Sequence, residues 1–314
     1  MDVSIIIVTL NGGRMLLDCV DSVFASTKGA TLEVIVVDNG STDNSIDELA
    51  KRYPEIKLIR NGGNLGFATA VNMGIDVSAG RYICLLNNDT KVKDGAFERL
   101  VKFLDSKPDC GIAAPQLLND DNSKQNSYDN IPTIATALLN KSLLRFLFPH
   151  KYPSKRQETE TPIEVETVIG ACMMVKREVI NKIGKLDEDY FIFLEETDWC
   201  LRARRAGWKI FFVPQAEVYH LQGQTKRRHL ARAKVEYTYS LLTFFYKNSS
   251  FLHCIVVGMF LFLRALVSSV FLLLMNILTF FSISKVRSKL IIYSYLFLWL
   301  LLLCPKGMGL RGKQ

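Results

Sequence analysis

The fold of this chain is indicated most clearly by one stretch of sequence, Tyr82-Ile83-Cys84-Leu85-Leu86-Asn87-Asn88-Asp89-Thr90. An apolar run from Tyr82 to Leu86 is followed at once by two amides and a carboxylate. Parallel strands that are buried on both faces are continuous apolar runs, and open α/β sheets bind ligands at the carboxyl ends of such strands. We therefore predict a buried strand that ends in a binding crevice, where Asp89 would hold a divalent metal ion on a nucleoside diphosphate.

The first 118 residues repeat this pattern. Further apolar runs cover Val3–Val8, Leu32–Val37, Ile56–Arg60 and Gly111–Leu118, with helical patterns between them. This alternation predicts a doubly wound, mostly parallel sheet flanked by helices. Turn formation alone explains any one polar cluster after a strand. Four such clusters at one sheet edge instead indicate a nucleotide-like ligand, and they contain Thr9, Asn11, Asp38, Asn39, Asn61, Asn64, Asn88 and Asp89.

The sequence lacks the signatures of several common protein classes. It has no G-x-G-x-x-G after the first strand and no G-x-x-x-x-G-K-[ST], which disfavours a dinucleotide-dependent enzyme and a P-loop ATPase. The seven cysteines are scattered without a C-x-x-C pair, as expected in a reducing compartment. Residues 1–225 are mildly acidic, which disfavours a nucleic-acid-binding protein.

The C-terminal region is both basic and apolar. Of the 39 Lys and Arg residues, thirteen follow residue 225, against one of the 31 Asp and Glu residues. Residues 251–281 are apolar over a length that can span a bilayer, whereas 290–304 are short for a perpendicular span. Arg264 is costly in hydrocarbon, and basic residues flank both runs. A transmembrane hairpin and helices in the membrane plane therefore both remain open.

Three segments lie between these regions. Thr167–Val175 and Ile210–Val213 are predicted strands, the second ending before Pro214. Leu138–Phe148 has the pattern of an amphipathic helix, which either lies near lipid or packs on the core.

Acidic residues and one histidine complete the set of candidate chemical groups. Glu195-Glu196-Thr197-Asp198 precedes a helical pattern, where acids commonly complement the helix dipole. A lone histidine such as His220 is commonly structural as well. Taken together with Asp38 and Asp89, these residues form an oxygen-rich set with one imidazole, which suits Mg²⁺ or Mn²⁺.

An ordered set of motifs resembles the inverting glycosyltransferases of family 2. The rhamnosyltransferase-type branch, which builds bacterial cell-surface polysaccharides, is the most similar. The resemblance covers roughly residues 3–225. It rests on Val3–Asn11, Val37–Asp43, Asn64–Ala68, Leu86–Thr90, Gly170-Ala171, Phe191–Arg202 and His220.

The resemblance implies a GT-A fold and a role for each matching residue. The nucleotide-binding residues would be Thr9, Asn11, Asp38, Asn64 and Asn88. Asp89 and His220 would bind the metal, and Glu196, preceded by Glu195, would be the catalytic base. The acceptor-binding residues would be Gly170, Ala171, Asp198 and Trp199, although core packing alone also explains a tryptophan here.

Two positions depart from the family pattern. The D-x-D metal motif is Asn87-Asn88-Asp89 in this chain, so a single carboxylate remains. The base position carries Glu instead of Asp, which leaves the choice between Glu195 and Glu196 open.

The resemblance implies metal-assisted transfer of a sugar, such as rhamnose, from a nucleotide-sugar to a lipid-linked or cell-surface polysaccharide acceptor. The expected location is the cytoplasmic face of the bacterial inner membrane, in contact with membrane lipids through one or two C-terminal transmembrane helices. A nucleotidyltransferase, a retaining transferase or an inactive membrane scaffold with the same fold are the alternatives. The expected regions are a nucleotide-sugar-binding half, an acceptor-binding half, a basic connector and membrane-associating helices, at 1–118, 119–225, 226–250 and 251–314.

Overall fold

The structure is a computed structural model that describes residues 1–149, 159–221 and 230–311. These residues form two compact units. The expected boundary between residues 225 and 226 lies outside the described residues. The first unit contains the described residues of Met1–Ile131, Tyr152–Glu188 and Glu195–Gln222, and the second those of Pro132–Lys151, Asp189–Leu194 and Gly223–Gln314.

The first unit is built from strands and the helices that connect them. Its strands are β1 (Val3–Thr9), β2 (Leu32–Asp38), β3 (Lys57–Arg60), β4 (Tyr82–Asn87), β5 (Thr90–Val92), β6 (Cys110–Leu118), β7 (Tyr128–Asp129), β8 (Ile163–Val165), β9 (Thr167–Val168), β10 (Cys172–Lys176) and β11 (Lys209–His220). Its helices are α1 (Gly13–Ser26), α2 (Ser45–Arg52), α3 (Phe67–Asp76), α4 (Ala96–Ser106), α7 (Arg177–Ile183) and α8 (Glu195–Arg205).

A central sheet has the strand order β3-β2-β1-β4-β10-β6-β11-β5, and β8 pairs with β11. The strands β3, β2, β1 and β4 are mutually parallel, and β6 is parallel to β11. Strand β10 lies antiparallel between β4 and β6. The predicted α/β class with a mostly parallel sheet is therefore confirmed.

The sheet is buried on both faces, as the continuous apolar runs predicted. Along β1, Ile5 and Ile7 pack into one hydrophobic cluster, while Ile6 packs into the cluster on the opposite face. The strand register places Thr9 beside Asp38, so the carboxyl ends of β1 and β2 meet at the same edge. This alignment brings the polar residues after the strands together.

Two predicted strands differ from the structure. The run Thr167–Val175 is divided into β9 and β10 on either side of Gly170-Ala171. Strand β11 continues through Pro214 as far as His220, with a register shift between Val213 and Glu217. Proline cannot donate to a strand ladder, and such an irregularity accommodates it. The continuation carries His220 to the position opposite Thr90 of β5.

The second unit is helical. Its helices are α5 (Ile134–Leu138), α6 (Lys141–Leu147), α9 (Leu230–Asn248), α10 (Phe251–Leu278) and α11 (Ser284–Leu301). The predicted amphipathic segment is divided between α5 and α6, since Leu139 and Asn140 interrupt it. Helix α10 packs against α9 and α11 around a core that contains Trp299.

Helix α10 is long and apolar enough to cross a membrane, and it is the one helix of the described residues that meets this test. Its 28 residues correspond to a length of about 42 Å. A stripe of apolar side chains runs exposed along its whole length: Leu252, Val256, Met259, Leu263, Val267, Val270, Leu274 and Ile277. Arg264 is exposed near the middle of the same helix.

An ion pair between Arg311 and Glu236 joins the C-terminal segment of the second unit to α9. The Arg311 Nε donates to Glu236 Oε1 at 2.8 Å, and the backbone N–H of Leu310 donates to Glu236 Oε2 at 3.0 Å. The guanidinium lies 4.4 Å from the ring centre of Tyr239. Removing one partner of a buried pair leaves an uncompensated charge, so this contact holds the segment after α11 on α9.

Candidate active site

A hydrogen bond between Thr9 and Asn88 joins the ends of β1 and β4. The Asn88 Nδ2 donates to Thr9 Oγ1 at 2.9 Å. Gly12 lies against this pair, since a Cβ at position 12 would be 2.5 Å from Thr9 Oγ1 and 2.9 Å from Asn88 Nδ2. The chain therefore needs glycine here to hold both side chains at the sheet edge.

Asn11 fixes the loop that follows β2. Its backbone has φ 52°, in the left-handed region, where asparagine is one of the tolerated residues. Its Oδ1 accepts from the backbone N–H groups of Thr42 and Asp43, and its own N–H donates to Ser41 Oγ at 2.8 Å. Asp38 Oδ1 accepts from the backbone N–H of Ser41 at 2.9 Å. Asn11 and Asp38 thus both hold the loop after β2, and both contact Ser41.

Asn39 links this loop to the loop after β3. Its Nδ2 donates to the carbonyl of Gly66 at 3.0 Å, and its Oδ1 accepts from Asn61 Nδ2 at 2.9 Å. Asn64 Oδ1 accepts from the backbone N–H of Gly66 at 3.1 Å. The backbone N–H of Asn39 also donates to the carbonyl of Thr9 at 2.8 Å. The predicted nucleotide-binding residues therefore belong to a continuous hydrogen-bonded edge across β4, β1, β2 and β3.

Asp89 and His220 come together from distant parts of the chain. The Asp89 Oδ1 and His220 Nε2 are 3.5 Å apart, and both side chains are largely buried. The backbone N–H of Leu221 donates to the Asp89 carbonyl, which fixes the end of β11 against this loop. The other ring nitrogen of His220, Nδ1, lies 3.1 Å from Gln125 Oε1.

This pair fits a divalent cation bound together with a diphosphate. A carboxylate oxygen is a ligand that suits both Mg²⁺ and Mn²⁺, and the imidazole nitrogen favours Mn²⁺ over the harder Mg²⁺. Adjacent octahedral ligands at ~2.1 Å from an ion are about 3 Å apart, close to the separation seen here. Within 1–149, 159–221 and 230–311, no three His, Cys, Asp or Glu side chains cluster as a metal site. Diphosphate oxygens would supply the remaining ligands, as is common for Mg²⁺.

The two candidate bases lie in the first turn of α8. Gly170 faces Glu196, because a Cβ at position 170 would be 3.4 Å from the Cβ of Glu196. Ala171 joins this part of the site to β4, since its carbonyl accepts from the backbone N–H of Asn87 at 2.9 Å. The structure thus places Gly170 and Ala171 between Glu196 and the segment that carries Asp89.

Glu195 and Glu196 differ in their surroundings. Glu195 is 5% exposed, and its Oε2 is buried without a hydrogen-bond partner among the described residues. Burial raises the pKa of Glu195 well above its usual 4.5, and the charge of Glu196 raises it further. Glu196 is partly exposed as a residue, although one of its carboxylate oxygens, Oε2, is buried as well.

The backbone before these acids is unusual. Phe193 and Leu194 have φ values of 75° and 67°, and neither residue is glycine. Consecutive left-handed residues cost about 1–2 kcal/mol each. Such conformations are found at functional sites, where surrounding structure enforces them.

The side chains of Asp198 and Trp199 are more buried than that of Glu196. Asp198 Oδ2 accepts from Arg202 Nε at 2.7 Å, one turn along α8. Trp199 is fully buried, and its Nε1 donates to the carbonyl of Gly184. Trp199 thus fixes α8 to the segment after α7, whereas Asp198 forms an ion pair within α8, and the acceptor-binding role of both residues stays a prediction.

Gly12 and Gln125 are site residues that sequence reasoning did not identify, and Asn39 was predicted only as part of the polar cluster after β2. The Gly12-Gly13 pair directly after β1 is a signal of close backbone approach that could have identified the first. Asn39 follows Asp38 in a motif that was recognised. Gln125 lies in a polar loop, and no local pattern indicates its contact with His220.

Comparison with known proteins agrees with this geometry. The profile of the family "Glycosyl transferase family 2" matches residues 4–184. An N-acetylglucosaminyl-diphospho-decaprenol L-rhamnosyltransferase of Mycobacterium tuberculosis is 30% identical over 218 residues, which cover 64% of this chain and 71% of the relative. The dTDP-rhamnosyl transferase RfbF of Shigella flexneri is 29% identical over 195 residues, 60% of each chain.

A solved structure shows the same fold. The crystal structure of GalNAc-T7 with UDP, GalNAc and Mn²⁺ matches with a TM-score of 0.55 and 19% identity, over 71% of this chain and 44% of that chain. The resemblance inferred from the motifs is therefore confirmed, and the nucleotidyltransferase alternative is removed. This chain belongs to glycosyl transferase family 2 and is a glycosyltransferase with a GT-A fold.

Proposed function

We propose that this enzyme transfers L-rhamnose from a nucleotide-sugar to a hydroxyl of a lipid-linked glycan, with inversion at the anomeric carbon. The rhamnosyltransferase names of the relatives from M. tuberculosis and S. flexneri support the sugar. The decaprenol-linked substrate in the first of these names supports a lipid-linked acceptor.

Glu196 is the base of this mechanism. Its carboxylate takes the proton of the acceptor hydroxyl as that oxygen attacks the anomeric carbon. The bond to the nucleoside diphosphate breaks in the same displacement, which inverts the configuration. Glu196 is better suited than Glu195 because it is partly accessible, whereas burial raises the pKa of Glu195 and favours its neutral form.

The sheet edge binds and orients the donor. Thr9, Asn11, Asp38, Asn64 and Asn88 line the side where the nucleotide lies. Asp89 and His220 would hold Mg²⁺ or Mn²⁺, and that cation supplies positive charge against the diphosphate leaving group. Gly170 and Ala171 leave room for the acceptor beside Glu196.

The second unit attaches the enzyme to the cytoplasmic face of a bacterial inner membrane. The apolar stripe on α10 supports contact with lipid, because exposed apolar patches of this length are rare on soluble monomers. The basic residues near the start of α11, Lys285, Arg287 and Lys289, fit an anionic lipid surface. A lipid-linked acceptor would meet the enzyme at that surface.

One observation carries the proposal: the 3.5 Å approach of Asp89 Oδ1 to His220 Nε2 beside the polar edge of the sheet. It is tested by a thermal-shift screen of dTDP-, UDP- and GDP-sugars, each with and without Mn²⁺. We expect dTDP-L-rhamnose to stabilise the protein, and more so with Mn²⁺. Stabilisation by UDP- or GDP-sugars alone would contradict the donor, and metal-independent binding would contradict the site.

The stereochemistry has its own test. NMR of the product's anomeric proton, with a dTDP-β-L-rhamnose donor, reports the configuration of the new bond. The proposal predicts an α-linkage. A β-linkage would contradict inversion and indicate a retaining mechanism.

A further inference from the structure

Gln125 lies behind the histidine of the proposed metal site. It follows β6 in the chain, and its backbone N–H donates to the carbonyl of Leu117 at 2.7 Å. The residue is 9% exposed. Its side chain therefore reaches His220 from within the first unit, on the side of the ring that faces away from Asp89.

The neighbours of Gln125 fix which way its amide points. The Nε2 donates to Asn119 Oδ1 at 2.7 Å, to the carbonyl of Leu118 at 3.3 Å and to the carbonyl of His220. A flipped amide would place its oxygen against these oxygen acceptors. Oε1 is consequently the atom that faces His220 Nδ1.

This orientation determines the state of the imidazole. An amide oxygen can only accept, so the His220 Nδ1 must carry the hydrogen of the 3.1 Å contact. In the neutral ring, Nε2 then has the lone pair, and Nε2 is the atom 3.5 Å from Asp89 Oδ1. Two acceptor atoms that face each other at this distance suit a shared cation.

We propose that Gln125 is a positioning residue that holds His220 in its Nδ1–H tautomer, with Nε2 directed at the metal. The inference rests on the proposed metal site. Partners of this kind orient metal-ligating histidines in many proteins, and their loss typically weakens metal affinity about 10–100-fold.

A second buried amide supports Gln125. The Gln116 Nε2 donates to the Gln125 carbonyl at 2.9 Å and to Ser127 Oγ at 3.0 Å, and Ser127 Oγ accepts from the backbone N–H of Leu117. Gln116 and Ser127 are also buried. This network fixes the backbone of Gln125, while the side chain of Gln125 itself makes the contact to His220.

The tautomer is measured directly in the metal-free, full-length protein. Selective ¹⁵N-histidine labelling at mildly alkaline pH distinguishes the two ring nitrogens of neutral His220, assigned by its loss in His220→Asn. The proposal predicts hydrogen on Nδ1, whereas free histidine favours hydrogen on Nε2. A dominant Nε2–H form in the wild type would overturn the proposal without any substitution at Gln125.

Matched variants test the consequence for the metal. Gln125→Met removes the acceptor, and Asn72→Leu removes a similarly buried amide whose partners are Leu186 and Glu188 instead of His220 or Gln125. Both will lower the melting temperature. We expect only Gln125→Met to weaken Mn²⁺ binding about 10–100-fold, by calorimetry with a nucleoside diphosphate present, and to shift the His220 ¹⁵N signals toward the other tautomer. Equal Mn²⁺ affinity of the two variants would overturn the proposal.

The result that disproves the metal assignment differs from the result that disproves the role of Gln125. If the wild type binds no Mn²⁺ while His220 shows the Nδ1–H form, the proposed metal assignment is wrong and the role of Gln125 in selecting the tautomer stands. If Mn²⁺ binds but the tautomer is Nε2–H, the metal assignment stands and the role of Gln125 is wrong.

Discussion

Glu195 and Glu196 are neighbours in sequence that differ in exposure. Glu195 is enclosed, whereas Glu196 is partly open and lies against Gly170. Desolvation raises the pKa of Glu195, which disfavours a second negative charge beside the proposed base.

The raised pKa of Glu195 predicts a pH-dependent stability. Above the usual pKa of 4.5, the folded protein holds a proton that the unfolded chain has lost, so stability falls as pH rises until the folded pKa is passed. The slope is at most about 1.4 kcal/mol per pH unit. Glu195→Gln removes this loss. Thermal melts across the pH range should show the melting temperature of Glu195→Gln rising relative to that of the wild type as pH increases. Glu55→Gln, at an exposed position, is the control. Parallel curves for Glu195→Gln and wild type would refute this.

Asp89 is the single carboxylate of its motif, which makes it sensitive to a neutral replacement. Asp89→Asn keeps the shape of the side chain but removes its charge. We expect Mn²⁺ affinity in the presence of a nucleoside diphosphate to fall at least about 10-fold, with little change in melting temperature. Asp94→Asn, an exposed substitution nearby, is the matched control. Unchanged Mn²⁺ binding by Asp89→Asn would move the metal site elsewhere.

The junction of β1 with α1 depends on a close approach that only glycine permits. A Cβ on Gly12 would be 2.5 Å from Thr9 Oγ1, which forces the Thr9–Asn88 hydrogen bond apart. Overpacking of this kind typically costs about 1–3 kcal/mol. Gly12→Ala should therefore weaken nucleotide binding in a calorimetric titration as well as lowering stability. Gly62→Ala is the control, because a Cβ there meets nothing within 4 Å. Equal nucleotide affinity of both variants would show that the junction does not bind the nucleotide.

The strands differ in how far local sequence determines them. β1, β2 and β4 could be predicted because burial on both faces requires continuous apolar runs. The position of β10 between β4 and β6 could not, because pairing across a distance of about 60–90 residues leaves no periodic signal in either strand. The extension of β11 was missed because Pro214 indicates a strand end, and a register shift accommodates it instead.

The residues of the candidate site also divide into those that local sequence predicts and those that only the fold brings together. Asp89 and Asp38 could be predicted because they directly follow recognisable strands. The contact of His220 with Asp89 required the extended β11, and that of Gln125 with His220 required the fold of a polar loop. The motif resemblance supplied His220, and local physical reasoning alone did not.

The two units have different surfaces. The first carries the candidate active site, whereas α10 of the second exposes mostly apolar side chains. Arg264 is exposed midway along α10, where its charge would be costly in the hydrocarbon core of a bilayer.

Membrane attachment predicts a specific response to added charge. Val267→Glu with Leu274→Glu places two acids on the exposed stripe of α10, where both side chains are more than half exposed. We expect the full-length variant to shift from the membrane to the soluble fraction on centrifugation. Val77→Glu adds an acid to an exposed apolar position of the first unit and should leave the protein with the membranes. Recovery of the double variant with membranes would argue against this surface.

The proposed mechanism depends most on Glu196 as the base. The direct measurement is the rate of rhamnose transfer from dTDP-L-rhamnose to a polyprenol-linked acceptor, compared between wild type, Glu196→Gln and Glu195→Gln. Loss of a general base costs about 10²–10⁴-fold in rate, so the rate of Glu196→Gln should fall by that factor. The rate of Glu195→Gln should fall far less, because burial raises the pKa of Glu195 and favours the neutral carboxyl that glutamine resembles. Near wild-type transfer by Glu196→Gln, with Glu195→Gln inactive, would contradict the mechanism.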